Sequence, residues 1–219
     1  MLDIFKKKQE IKLYALSNSG SIYLEWLLEK NLKIELNRGI ELGSKRRIAP
    51  SEDEISEQLN SQILFICLVK NPYTWLLSMH RRPKGYDALK ELKFKEFIRY
   101  SMGDYRNAME MWNQKVNSYL RFATYAKNIA LIKYEELLQN PQVVLEKLSV
   151  DYEIKKKISW FSNTNQYISS SKGVLKQKFH ADYYLRDEWI RDLNTENLQF
   201  INKFLDEKPL DALSYKLLK

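Results

Sequence analysis

One cysteine, two histidines and six glycines are all that 219 residues hold of three types that often build sites. The lone Cys67 excludes an internal disulfide, and its place inside 63-ILFICLV-69 marks it as a small buried hydrophobe. With only His80 and His180, no Cys/His metal spacing exists, and no metal is expected. No apolar run is long enough to span a bilayer, and the early basic residues lack an apolar signal core after them. An integral membrane segment is therefore not expected, and the chain reads as cytoplasmic. There is no internal repeat and no low-complexity tract. No Gly-Lys-Ser/Thr follows four free positions after a glycine, so a Walker A loop is a poor fit.

What the chain does hold is positive charge. Lys and Arg number 36 against 28 Asp and Glu, a formal net charge of +8. That excess favours an anionic ligand or partner, with a solvated Lys-rich surface as the plain alternative. The charge is clustered at Lys6-Lys7-Lys8, Lys45-Arg46-Arg47, His80-Arg81-Arg82-Pro83-Lys84 and Lys155-Lys156-Lys157. These runs are scattered rather than set on one recognition motif, so a nucleic-acid partner is not expected.

The apolar pattern reads as alternating strands and helices. Strands are expected at 11–16, 32–36, 62–69 and 129–133, with 62–69 buried on both faces. Helices are expected at 21–31, 73–80, 91–101, 104–126, 134–138, 142–149, 185–193, 195–205 and 209–217. Residues 37–61 read as a long loop with one helical turn near 52–59, and the Ser/Asn-rich segment 161–180 reads as a loop. The expected fold is α/β, a single domain over 1–219. It is P-loop-like and three-layered, with a mostly parallel sheet of four or five strands flanked by helices. In such folds ligands lie beyond the carboxyl ends of the strands, so the turns after 16, 69 and 133 should face one crevice.

Two of those turns carry chemistry. In 13-LYALSNSGSIYLEWLL-28 an apolar strand breaks into Ser17-Asn18-Ser19-Gly20-Ser21 and resumes at helical spacing. The backbone N–H groups of such a turn, continued by those of the helix, make an anion site. A strand-to-helix turn with Ser17 or Ser19 as a plain N-cap is the alternative. The turn contains no Lys or Arg. In 68-LVKNPYTWLLSMHRR-82, Lys70 ends the buried strand and Ser78 lies two turns into the next helix, so cation and hydroxyl can grip one phosphate together. A snorkelling Lys and a solvent-facing Ser is the alternative.

Together these turns resemble those of the sulfotransferases that use 3′-phosphoadenosine 5′-phosphosulfate (PAPS). Ser17-Asn18-Ser19-Gly20-Ser21 stands for the family's Pro-Lys/Arg-Ser-Gly-Thr. Lys70-Asn71-Pro72 with Ser78 stands for its Arg-Asn-Pro with a Ser eight positions after the Arg. The block 132-IKYEELLQNPQVVLEKL-148 is similar to its Tyr-Glu-Asp/Glu-Leu…Pro segment, and the tail 184–215 resembles the closing helices of small bacterial members. The resemblance implies that Ser19, Gly20, Ser21, Ile22 and Tyr23 cradle the 5′ end of the nucleotide. It implies that Lys70 and Ser78 hold the 3′-phosphate and that Tyr134 lies near the adenine. Lys172-Gly173 stands for the family's Arg-Lys-Gly, which also reaches the 3′-phosphate, with Ser171 in place of the Arg.

The sequence departs from the family at two catalytic positions. The loop cation that meets the oxygen between sulfate and phosphate is replaced by Asn18, which can donate a hydrogen bond but brings no charge. The family's His base is absent from the matching stretch Gly43-Ser44-Lys45-Arg46-Arg47, and Arg stays protonated. Either Lys45 or Arg46 supplies relocated charge, with Glu41 or a loop His as base, or the fold keeps a nucleotide or anion site without fast transfer. His80 and His180 read as surface residues. The expected activity is sulfuryl transfer from PAPS, as co-substrate, to a hydroxyl or amine of a small molecule or glycan, an acidic acceptor included. The alternatives are a non-catalytic binding module on the same fold and a nucleoside or sugar kinase with a degenerate phosphate loop. Pairing into a homodimer stays open.

Overall fold

The computed structural model describes residues 8–39, 41–83, 85–169 and 173–219. Lys6, Lys7, Lys84, Ser171 and Lys172 lie outside them.

A four-stranded parallel sheet runs in the order β2-β1-β3-β4. Its strands are β1 (Gln9–Ala15), β2 (Ile34–Leu36), β3 (Ile63–Val69) and β4 (Ile129–Lys133). Every residue of β3 is buried, as its unbroken apolar run requires of a central parallel strand. It pairs with β1 from Glu10↔Ile63 to Ala15↔Leu68 and with β4 from Phe65↔Ile129 to Val69↔Lys133. The two-residue period of the strands splits the core. Ile11, Leu13, Ala15, Leu64, Ile66 and Leu68 pack under α1 (Ser21–Asn31) and α7 (Pro141–Asp151). Tyr14, Phe65, Cys67 and Val69 face α3 (Pro72–Arg81) and α5 (Ala108–Phe122). The fold is thus a three-layer, P-loop-like α/β arrangement.

Lys12 points out of the same strand yet is buried. Its ammonium donates to Gly43 O at 2.7 Å and Gly39 O at 3.2 Å, which straps the loop after β2 onto the sheet. Tyr14 Oη donates to Leu42 O at 2.9 Å and Ala15 N to Lys45 O at 2.8 Å, continuing the strap. This long loop carries one short 3-10 turn, Glu52–Glu54, and then α2 (Glu57–Gln62). Among the described residues, no helix is long and apolar enough to cross a membrane.

Several elements differ from the sequence expectation. The segment expected to be a loop at 161–180 holds an antiparallel pair, β5 (Gln166–Ser169) and β6 (Gly173–Lys178). Its Ser and Asn content conceals short β-forming stretches that supply their own ladder. The helix expected at 91–101 is a single turn, α4 (Phe94–Phe97). That expected at 104–126 begins only where Asn107 Oδ1 caps it, accepting from Glu110 N at 2.9 Å. The stretch 185–193 is α8 (Asp182–Leu185) followed by a 3-10 turn at Glu188–Asp192. The remaining helices are α6 (Tyr134–Gln139), α9 (Thr195–Phe204) and α10 (Glu207–Ala212).

Candidate active site

The turn between β1 and α1 is built on two left-handed residues, Asn18 at φ 57° and Gly20 at φ 87°. Gly20 has a second reason to be glycine. A Cβ there would come within 2.5 Å of Cδ2 of the Tyr134 ring. Ser19 Oγ donates to Leu16 O at 2.7 Å and closes the turn, and Trp75 Nε1 of α3 donates to Ser17 O at 2.7 Å and braces it. Gly20 is the N-cap of α1, with no side-chain cap. The leading amides of α1 therefore have no capping side chain, the arrangement that favours an anion.

The turn between β3 and α3 is held as firmly. Asn71 Oδ1 accepts from Tyr73 N (3.0 Å) and Thr74 N (3.4 Å), with Pro72 in the first helical turn. Glu135 Oε1 accepts from Asn71 N at 3.0 Å, and Trp112 Nε1 donates to Lys70 O at 2.9 Å. Lys70 itself is 1 % exposed. Its ammonium donates to Ser78 Oγ at 2.8 Å and lies 4.4 Å from the centre of the Tyr134 ring and 4.2 Å from that of Tyr184. Burial pulls it down to about 7 from the ordinary 10.5; Glu135 opposes this fall and Arg81 adds to it. An anion arriving beside Lys70 would restore its charge.

Tyr134 joins the two turns. It follows β4 directly, is buried, and lies with Gly20 at one edge and the Lys70 ammonium over its face. Gly20, Lys70, Ser78 and Tyr134 border one cavity of about 340 Å³ at the carboxyl ends of β1, β3 and β4, together with Asn18, Ile22 and Tyr23. Among the described residues its walls carry three cations, Lys70, Arg81 and Arg82, and no carboxylate. Ser19 and Ser21 are buried in the turn behind it.

Other site residues go elsewhere. Asn18 lines the cavity, but its amide donates to Arg82 O at 2.6 Å and Ser78 O at 3.3 Å, at the C-terminal end of α3. Lys45 pairs with Glu25 of α1 at 2.7 Å. Arg46 lies against α5, where its carbonyl accepts from Lys115 Nζ at 2.5 Å and its buried Nη1 has no hydrogen-bond partner among the described residues. Neither Lys45 nor Arg46 is among the described cavity walls. Gly173 opens β6 at φ 66°, and Lys172 falls outside the described residues. His80 meets Leu92 O at 2.8 Å and packs on Phe94 and Phe97, so it is a structural residue. Among the described residues, no group of three or more His, Cys, Asp or Glu is placed to hold a metal ion.

The rest of the cavity comes from segments the sequence reading left unassigned: Asn163, Thr164, Asn165, Gln166 and Ile168 before and in β5, then Phe179, Ala181 and Tyr184. Phe179 and Tyr184 stack at 5.9 Å, and Tyr23 Oη donates to Asn163 Oδ1 at 2.8 Å, which ties α1 to this wall. The short apolar pairs Tyr167-Ile168 and Val174-Leu175 on either side of Gly173 were the available signal. Arg81 is held by Asp192 at 2.7 Å and by Tyr183.

A family model described as the sulfotransferase domain matches residues 2–208. No curated protein is a significant match to the chain. Among solved structures, the mouse sulfotransferase SULT7A1 complexed with PAP is similar, at 18% identity and a TM-score of 0.59, over 96% of this chain and 90% of that one. A sulfotransferase from Alicyclobacillus acidocaldarius is similar at 12% identity and a TM-score of 0.53, over 96% and 97%. At these identities the likeness is one of fold.

Proposed function

The chain belongs to the sulfotransferase domain family, and on that premise we propose that it moves a sulfuryl group from PAPS to a hydroxyl or amine of a small molecule or glycan. The observation that carries the proposal is the Lys70–Ser78 pair and the Gly20 turn opening on one cavity whose described walls hold no carboxylate, with Tyr134 between them. The residues fit the donor's chemistry. Lys70 is a buried cation that, among the described residues, has no charge partner in hydrogen-bond contact, as a phosphate site needs. Gly20 lets the backbone approach a ligand where a Cβ could not fit.

In this reading Lys70 and Ser78 hold the 3′-phosphate, the latter already oriented by donating to Thr74 O at 2.8 Å. The amides of Ser19, Gly20, Ser21, Ile22 and Tyr23 cradle the 5′ end. Tyr134, with Phe179 and Tyr184, offers aromatic surface to the base. The donor supplies a sulfuryl group: the acceptor's oxygen or nitrogen bonds to sulfur, the bond from sulfur to the bridging oxygen breaks, and its electron pair stays on the 5′-phosphate. The chain's part is placement and stabilisation of that charge. The acceptor's proton leaves to a base or to solvent. The reading includes one domain over 1–219 and a cytoplasmic location.

Single-turnover incubation with sulfur-labelled PAPS and a panel of phenolic, amine and glycan acceptors tests the proposal, alongside thermal melts with PAPS and with ATP. Label on an acceptor and stabilisation by PAPS are expected. Stabilisation by PAPS with no labelled acceptor favours the binding-module reading. Stabilisation by ATP alone overturns the proposal in favour of a kinase.

A further inference from the structure

We infer that Arg81, clamped from behind by Asp192 and Tyr183, is a second cation for the nucleotide's 3′-phosphate, shared with Lys70; this rests on the donor reading above. A phosphate monoester carries about −1.5 to −2 charge at neutral pH, more than one ammonium offsets. Arg81 follows Ser78 by three positions on α3, so both side chains leave the same face of the helix. Both border the cavity with Lys70. The charge of Arg81 is felt at Lys70, where it adds to the fall in that group's proton affinity. The two cations therefore stand close enough to repel. A phosphate between them replaces one repulsion with two attractions.

The partners of Arg81 fix one corner of its guanidinium. Nη2 donates to Asp192 Oδ2 at 2.7 Å and to Tyr183 Oη, and that hydroxyl donates to the same carboxylate oxygen at 2.5 Å. Cζ of Arg81 lies 4.4 Å from the centre of the Tyr183 ring, so one face is covered as well. Tyr183 belongs to α8 and Asp192 to the 3-10 turn after it, which ties the end of α3 to the segment that brings Tyr184 to the cavity. Asp192 is not among the described cavity walls, so it holds the cation from outside. Both members of the pair are more than a third exposed, and solvent screening leaves much of the guanidinium's charge available. Among the described residues, Nε and Nη1 make no hydrogen bond, and such an edge can meet a phosphate through two bonds at once.

Titration calorimetry with adenosine 3′,5′-bisphosphate and with adenosine 5′-monophosphate isolates the 3′-phosphate without needing an acceptor. Arg81→Gln should weaken the bisphosphate about 10- to 100-fold while changing the monophosphate less than about 2-fold, and Arg81→Lys should recover part of the loss. Asp192→Asn keeps an oxygen that accepts from Arg81 but removes a negative charge, so the bisphosphate should bind as tightly or up to about 3-fold tighter. An exposed ion pair contributes little to stability, so the variants should melt near the wild type. A merely structural pair would make the Gln and Asn substitutions act alike. Equal weakening of both nucleotides by Arg81→Gln, an unchanged bisphosphate affinity in that variant, or the same selective loss from Asp192→Asn overturns the assignment. Wild-type protein that binds neither nucleotide overturns the donor reading itself, and the Arg81 assignment with it.

Discussion

Lys70→Met should make the protein more stable and deaf to nucleotide. The wild-type ammonium is held near 7 instead of 10.5, with burial as the main cause. At about 1.4 kcal/mol for each tenfold change in proton affinity, that displacement costs the fold roughly 4–5 kcal/mol when the group is charged in both states. Methionine fills a similar volume without a charge and gives up one hydrogen bond, worth about 1 kcal/mol. Ser78 keeps a partner, because its hydroxyl also donates to Thr74 O. The net expectation is a gain of about 2–4 kcal/mol at pH 7, or roughly 5–15 °C in melting temperature for a chain of this size. The pH dependence fixes the sign. Below pH 7 both the folded and unfolded chains carry the proton and the cost is full. Between pH 7 and 10.5 the unfolded chain holds a proton that the folded chain has released, so this group makes wild-type stability rise with pH. Methionine has no such slope, and the two proteins should converge by about 1.4 kcal/mol per pH unit. Urea unfolding at pH 7, 8 and 9, with and without adenosine 3′,5′-bisphosphate, reads all of this. A Met variant that is less stable than wild type would refute the reasoning, because Lys70 would then be a structural group. A more stable variant that still gains stability from the nucleotide would place the 3′-phosphate elsewhere.

Nucleotide affinity should fall about tenfold per pH unit between pH 7.5 and 9.5, because binding needs the protonated form of a lysine that is mostly neutral there; calorimetry in two buffers of different ionisation heat should show proton uptake at pH 8. Gly20→Ala should cost about 2–4 kcal/mol in urea unfolding, from its positive φ and from the collision with Tyr134, and should weaken nucleotide binding as that ring moves off Lys70. Asn71→Ala removes the acceptor for two amides at the start of α3 and should cost about 1 kcal/mol by the same measurement.

The sequence shows most clearly what short-range physics determines. The unbroken apolar run of β3 has one stable home, a central strand, and Asn71-Pro72 after it can only turn and start a helix. Gly20 is legible as a turn residue, but not the reason it admits nothing larger, since Tyr134 lies more than a hundred positions later. Lys70 is legible as a phosphate-gripping cation, but its lowered proton affinity is not, because that comes from burial by elements far apart in the sequence. The cationic loop 45–47 has the right composition for the cavity yet is drawn to α1 and α5 by Glu25 and by Lys115. Lys12, a charged residue between the apolar Ile11 and Leu13 of β1, marks where that strap is anchored. The Asn18 amide binds the carbonyl of Arg82, more than sixty positions on, which no local pattern announces. A missing charge in one turn is therefore weak reason to deny a site its chemistry. The field at a cavity is set by every element that closes on it.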